Sequence, residues 1–210
     1  MKISIIGATR GIGKEVLTQS LKIGHNVTVL ARNPEKIELK SANLKIVKGD
    51  FLDFNSVAKS LKDADAVVVS VGAMPTRKSV TLFSIGTKHL LESIKNENIH
   101  PFIIVVTGIG AGESKGHGGF FYDKIFQPLL LKTMYEDKDR QEQMLMNEYD
   151  NWIIVRPGML TKGKLTGNYR AITNLVGING GKISRADVAH LILEQTANPT
   201  FLRKTPLLIY

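Results

Sequence analysis

Residues 1–13 read Met1-Lys2-Ile3-Ser4-Ile5-Ile6-Gly7-Ala8-Thr9-Arg10-Gly11-Ile12-Gly13. The apolar run Ile3, Ile5 and Ile6 stops at Gly7, and Gly11 and Gly13 follow before a helical pattern opens at Lys14. A buried strand, a glycine turn and a helix N-terminus in that order turn free backbone N–H groups and a positive helix end outward. Such a cradle holds the pyrophosphate of a dinucleotide. Gly7 permits the sharp exit from the strand, Gly11 a close approach of backbone to phosphate, and Gly13 tight packing of the helix on the sheet. Thr9 and Arg10 lie in the turn, where a hydroxyl and a guanidinium reach phosphate oxygens, and Ile12 belongs to the same turn. A P-loop is excluded, since five residues separate Gly7 from Gly13 and Glu15 follows Lys14.

Working outward, strand and helix patterns alternate. Strands are expected at Ile3–Ile6, Asn26–Ala31, Leu44–Lys48, Ala66–Val71, Phe102–Val106, Trp152–Arg156 and Leu207–Ile209. Helical spacing marks Lys14–Ile23, Phe54–Leu61, Val80–Asn96 and Tyr135–Asn147, and Ser184-Arg-Ala-Asp187 resembles a capping box opening a last helix through Leu193. The near-continuous apolar run Ala66–Val71 implies a sheet covered on both faces. Six or more parallel strands with helical crossovers predict an α/β fold, a Rossmann-type doubly wound parallel sheet in three α/β/α layers. With no linker or repeat, residues 1–210 are expected to form one domain with a small C-terminal substrate-side portion. The glycine-rich stretch Gly108–Gly119 reads as a mobile loop at a strand's C-terminal end.

Composition narrows the function classes. The chain has 210 residues, 43% of them hydrophobic, which suffices for a core. It has no cysteine, hence no disulfide and no thiolate chemistry. Its five histidines are dispersed without ligand spacing, so no metal is expected, and no Gly-x-Ser-x-Gly elbow supports a hydrolase. The net charge of +9 is spread among interleaved acids, with no basic run or aromatic platform for nucleic acid. A general attraction to anionic small molecules is the milder reading. No apolar stretch approaches the ~20 residues needed to span a bilayer. Met1 runs straight into the first strand, so no leader and a cytoplasmic location are expected.

The other strand ends extend the cofactor reading. NAD-specific folds place Asp or Glu after the second strand for the ribose 2′-hydroxyl. This chain has Ala31-Arg32-Asn33-Pro34 with Lys36 nearby, cations that suit a 2′-phosphate, so NADP is favoured over NAD. A solvated surface charge is the plainer alternative for Arg32. After the third strand, Asp50 can accept from an adenine amino group while Phe51 packs nearby. After the fourth, Val71 and Gly72 let backbone run along the far phosphate and ribose.

Several stretches together resemble a known group: Gly7-Ala-Thr-Arg-Gly-Ile-Gly13, Val29-Leu-Ala-Arg-Asn33, Gly49-Asp50, Asp65-Ala-Val67, Asp137-Lys-Asp-Arg140, Val155-Arg-Pro-Gly158, Leu165-Thr-Gly-Asn-Tyr169 and Ile183-Ser-Arg-Ala-Asp187. Over nearly its whole length the chain is similar to the atypical short-chain dehydrogenase/reductases with NmrA-like, NAD(P)-binding folds. Biliverdin-IXβ/flavin reductases and bacterial NADH-flavin reductase-like proteins are the nearest look-alikes. The resemblance implies that Thr107 and Gly108 face the nicotinamide, with Gly108 standing where many members carry a catalytic serine. The usual Tyr-x-x-x-Lys pair is missing, because Phe126 follows Tyr122 and Asp139 follows Tyr135 at that spacing.

Lys138 stands where members often place a lysine or histidine toward the nicotinamide ribose. The alternative is a solvated, strongly charged face running from Glu136 to Glu142. Tyr135 and Tyr122 are further catalytic candidates that could equally be packing. Pro157 and Gly158 are expected beside the carboxamide, with turn geometry as the alternative, and Arg156 is expected to pair with an acid. The implied activity is NADPH-dependent hydride transfer to a planar electron-poor acceptor such as a flavin, quinone or tetrapyrrole. Phe120 and Phe121 would then wall an open acceptor pocket, unless both rings belong to the core. His117 is the one histidine positioned to approach a substrate. An NADP-binding redox sensor of NmrA type, without turnover, is the alternative, and a monomer or weak homodimer is expected.

Overall fold

A computed structural model of the chain describes residues 1–210. The first half runs β1 (Lys2–Ile6), α1 (Gly11–Lys22), β2 (Asn26–Ala31), β3 (Leu44–Lys48), α2 (Phe54–Leu61), β4 (Ala66–Val69) and α3 (Leu82–Asn96). The second half runs β5 (Phe102–Val106), α4 (Lys132–Glu148), β6 (Trp152–Pro157), β7 (Met159–Thr161), β8 (Arg170–Ile172), β9 (Lys182–Ser184), α5 (Arg185–Ala197) and β10 (Leu207–Ile209). One eight-stranded sheet has the order β3-β2-β1-β4-β5-β6-β10-β8. All its pairings are parallel except β10 with β8. The expected doubly wound sheet is therefore present, with β1 and β4 at the point where the strand order reverses. Ligands bind beyond the strand C-termini at such a crevice. No helix is long and apolar enough to cross a membrane.

Alternation along the strands divides the core. Ile3, Ile5, Val68 and Ile104 pack beneath α1 and α5, together with Val16, Leu17, Val188 and Ile192. Ile6, Val67, Val69, Ile103 and Val105 face α2, α3 and α4, where Val57, Leu61, Leu90 and Leu145 close the other layer. The central strands are thus apolar on both faces, as parallel strands sandwiched between helices must be.

Several boundaries differ from expectation. β4 ends at Val69 because Ser70 and Val71 turn away past Gly7, whose missing side chain would stand 2.5 Å from the Ser70 carbonyl oxygen. The Ser184 hydroxyl accepts the Asp187 N–H at 2.9 Å as a capping residue does. The Asp187 carboxylate does not return the bond to the Ser184 N–H, which goes to the Tyr210 hydroxyl instead. It gathers Thr166, Gly167 and Tyr210 and so fixes the segment before β8. The pair β7–β9 forms a small separate parallel sheet. Tyr122–Leu131 winds in wide π-type turns around Pro128 and buries no side chain completely.

The stretch Gly108–Gly119 is not a loose loop. Ile109, Ala111 and Ser114 are buried, and its N–H groups are satisfied by backbone carbonyls and by side chains, Gly110 N–H by Ser114 Oγ at 2.9 Å and Gly112 N–H by Asp139 at 2.8 Å. A buried backbone needs such partners, which is why this glycine-rich chain is tied down.

Candidate functional site

The glycine turn meets the requirements of a phosphate cradle. Gly13 lies so close under the turn that a side chain there would overlap the Gly7 carbonyl. Where a Cβ would stand on Gly11 or Gly72, no atom lies within 4 Å, so the space above both is open. Arg10, the extended N-cap residue of α1, makes no side-chain capping bond, and the first turn carries no acid. The positive end of α1 and its unpaired N–H groups are left for an anion from outside the chain. Thr9 and Ile12 complete the turn, the first half-exposed and the second, in the first turn of α1, buried in the core.

Arg32 and Asn33 are exposed beyond β2. Arg32 faces Asp50, from the end of β3, across an open ion pair of 4.0 Å. Exposed pairs of that length are worth little and yield to a better partner. Asp50 also accepts the Leu52 N–H at 3.0 Å, which sets the turn after β3. Phe51 departs from expectation. Its ring is 4% exposed, seated against Gly86 in the α3 layer, because Gly86 leaves the room a side chain would fill. Only its backbone is available at the sheet edge. Val71 is half-buried and Gly72 exposed, just past the end of β4, the strand adjacent to β1.

The other half of the edge is built differently. α4 turns Tyr135, Asp137, Lys138, Gln141, Glu142 and Leu145 inward. The solvated-face alternative for Lys138 is therefore overturned, since this stripe recurs every three to four residues and packs on β5 and α3. Asp137 accepts the Phe83 N–H at 2.8 Å and so caps α3 from outside, while Arg140 bonds both Asp137 and the Val80 carbonyl. Glu142 receives Arg156 through Nη2 at 2.6 Å and Nε at 3.2 Å, and the Thr107 hydroxyl at 2.6 Å. Arg156 thus has the acidic partner expected of it, and Thr107 spends its hydroxyl inside the protein.

The Lys138 ammonium donates to the Thr107 carbonyl and lies 5.0 Å from the Tyr135 ring centre and 5.5 Å from that of Phe83. It is 8% exposed, and burial lowers its pKa to about 8 despite the opposing pull of Glu142. Gly108 has φ +133°, and a Cβ on it would stand 3.0 Å from the Tyr135 hydroxyl. Burial raises the pKa of Tyr135, and its hydroxyl meets that of Tyr122 at 2.7 Å.

Pro157 and Gly158 are buried and committed to the sheet. The Pro157 carbonyl accepts the Ile109 N–H, and Gly158 N–H donates to Leu208, each at 2.9 Å.

Beside Tyr135 opens a cleft of about 670 Å³, walled by Phe120, Lys124, Gln127, Pro128 and Asn179. Phe120 and Phe121 are 70% and 76% exposed, so neither is core. His117 is turned from the cleft toward the Ile178 carbonyl, 2.8 Å from Nδ1.

Sequence reasoning expected an acid beside Arg156 but did not identify it as Glu142, and it missed the Thr107 bond to Glu142 and the Asp137 cap. The signal was present: Tyr135, Lys138, Glu142 and Leu145 share one helical face.

The family model described as NAD(P)H-binding matches residues 7–199. The chain is 28% identical over 214 residues to the uncharacterised protein YwnB of Bacillus subtilis (strain 168), covering 95% of this chain and 93% of that protein. It is 39% identical over 80 residues to the phenylcoumaran benzylic ether reductase IRL1 of Ginkgo biloba, a match covering 34% of this chain and 26% of that one. Among solved structures, the anaerobillin reductase ChuY of Escherichia coli O157:H7 superposes with TM-score 0.80 at 22% identity, over 100% of this chain and 97% of that one. A wide-type short-chain dehydrogenase/reductase of Veillonella parvula in complex with NADP does so with TM-score 0.80 at 18% identity, over 100% and 94%. Those two likenesses are likenesses of fold. The resemblance read from the motifs is borne out, and the chain belongs to the NAD(P)H-binding family.

Proposed function

We propose that the chain is an NADPH-dependent reductase passing hydride to a planar, electron-poor small molecule such as a flavin, quinone or linear tetrapyrrole. The observation that carries this reading is a convergence at one sheet edge. An uncapped helix N-terminus faces open space over Gly11, and Lys138 with Tyr135 closes over Gly108 at the adjoining strands. The turn Gly7–Gly13 would hold the pyrophosphate, with Thr9 and Ile12 contributing to the cradle. Arg32, Asn33 and Arg10 would meet the 2′-phosphate, and Asp50 the adenine amino group. Val71, Gly72, Thr107, Gly108, Pro157 and Gly158 would line the path toward the nicotinamide, which when bound supplies the hydride. Lys138 would hold the ribose and add positive potential, which favours charge arriving on the acceptor. Tyr135, on the cleft wall, would supply the proton.

The reductase and NADP-complex names among the relatives and neighbours support the same reading. It extends to residues 1–210 acting as one domain, as a monomer or weak homodimer in the cytoplasm. The second reading, an NADP sensor of NmrA type, draws on Gly108 in place of serine and the missing Tyr-x-x-x-Lys pair. Thermal shift with NADPH and NADH, followed by NADPH oxidation with FMN, a quinone and biliverdin, separates the two. Turnover with one acceptor is the expected result. Tight NADPH binding with no turnover across the panel favours the sensor, and equal affinity for NADH removes the role given to Arg32.

A further inference from the structure

The hydroxyl of Tyr135 occupies the space that a side chain on residue 108 would take, 3.0 Å from where its Cβ would stand. The positive φ of Gly108 turns the chain to admit it, a conformation L side chains rarely adopt. The place that the resemblance assigns to a serine hydroxyl is therefore filled from α4. Lys138 does not hold this hydroxyl: its ammonium donates to the Thr107 carbonyl and meets Tyr135 only over the ring, 5.0 Å from the ring centre. The partner is Tyr122, whose hydroxyl lies 2.7 Å from that of Tyr135 and 3.1 Å from the Ile109 carbonyl. The two rings meet edge to face, 6.5 Å between centres, and Gly118 leaves the room in which Tyr122 sits.

Counting protons gives this pair two arrangements. In one, Tyr122 donates to Ile109 and Tyr135 to Tyr122, so nothing points into the cleft. In the other, Tyr122 donates to Tyr135, and the Tyr135 proton is free to turn toward a ligand. An acceptor atom in the cleft selects the second.

We infer that Tyr122 is the positioning residue of a two-hydroxyl relay that delivers a proton through Tyr135 to the acceptor, an inference that rests on the reductase reading above. The hydride from NADPH brings two electrons and one hydrogen to the acceptor. Tyr135 gives its proton to the same molecule, takes the proton of Tyr122, and leaves the negative charge on Tyr122. Tyr122 is the more exposed of the two and regains its proton from water, so NADPH, acceptor and one proton become NADP+ and the doubly reduced acceptor. Burial raises both phenols, and the hydrogen bond from Tyr135 eases ionisation at Tyr122. The charge thus comes to rest where water can neutralise it.

The test measures NADPH oxidation with biliverdin in the full-length protein and its Tyr122→Phe, Tyr135→Phe and doubly substituted forms. Tyr122→Phe keeps the ring, so the fold and the NADPH Kd should be unchanged while kcat falls by about tenfold or more. The double variant should be no slower than Tyr135→Phe alone, because a relay fails as a unit. Unchanged kcat in Tyr122→Phe, or losses that simply multiply, would overturn the relay. Absence of turnover in the unmodified protein overturns the reductase reading and the relay together, whereas turnover that survives Tyr122→Phe unchanged overturns the relay alone.

Discussion

The two halves of the sheet edge are built from different materials. Around β1 and β4 the site consists of backbone, open space and exposed cations: the turn Gly7–Gly13, the room over Gly11 and Gly72, and Arg32 loosely facing Asp50 at 4.0 Å. Around β5 and β6 it consists of buried ionised side chains, with Glu142 and Arg156 only 1% exposed and joined at 2.6 Å, and Lys138 and Asp137 beside them. On the proposed function, the contrast follows from what each half would hold. A cofactor that brings its own charges needs unsatisfied N–H groups and mobile cations. A reacting centre needs groups already oriented, and orientation comes from burial with every partner in place.

The largest effect is expected from cutting the buried half. Glu142→Ala leaves Arg156 charged, buried and facing only the exposed Glu113 at 3.3 Å, and it frees the Thr107 hydroxyl. A loss of about 3–5 kcal/mol follows, visible as a fall in Tm of about 10 °C in a thermal melt. If Glu142→Ala melts like the unmodified protein, the buried cluster does not have the structural role assigned to it.

Gly13→Ala strikes the open half where it is least tolerant, because the new methyl meets backbone rather than a movable side chain. A cost of about 1–3 kcal/mol is expected, with NADPH affinity reduced about tenfold or more as α1 shifts away from the turn. Calorimetric titration beside a melt reads both quantities.

Lys138 gives the comparison a pH signature. Its pKa is lowered to about 8 from 10.5, so between those values the unfolded chain holds a proton that the folded chain has lost. Stability from this group therefore rises with pH across that window, and below it the buried ammonium is a constant cost. Lys138→Met should raise Tm by about a few degrees at neutral pH, with the gain shrinking as pH climbs past 8. Activity should instead fall in the variant, and in the unmodified protein it should decline above pH 8 as the ammonium discharges. A Tm gain that is flat with pH would count against a buried charge.

Arg32→Ala is the mildest change. Exposed and weakly paired, it should leave Tm unaltered and weaken NADPH by about tenfold while NADH affinity stays the same. Preserved discrimination would shift the 2′-phosphate role to Arg10 or Lys36.

Legibility followed the same division. The open half could be read directly, since glycine spacing and the residue after β2 are local facts with local consequences: Gly11 and Gly72 do stand over open space. Phe51 is the exception, drawn into the core by Gly86, a residue far along the chain. In the buried half, Glu136–Glu142 resembled any solvated helix, and only the 3.6-residue spacing of Tyr135, Lys138 and Glu142 hinted otherwise. For Phe120 and Phe121 composition left pocket wall and core both open, and the structure exposes both rings and sets Phe120 on the cleft wall.

The alternation of strands and helices, the glycine turn and the cation after β2 were therefore determined by the sequence alone, because short-range sterics and periodicity dictate them. Which charges lie inside was decided only by the tertiary structure. An ionised side chain is stable in the interior solely through the partners brought to it, and Glu142 finds Arg156 and Thr107 on neighbouring strands. Tyr135 finds Tyr122 and the empty place of Gly108 in the same way. No reading of one segment contains those meetings.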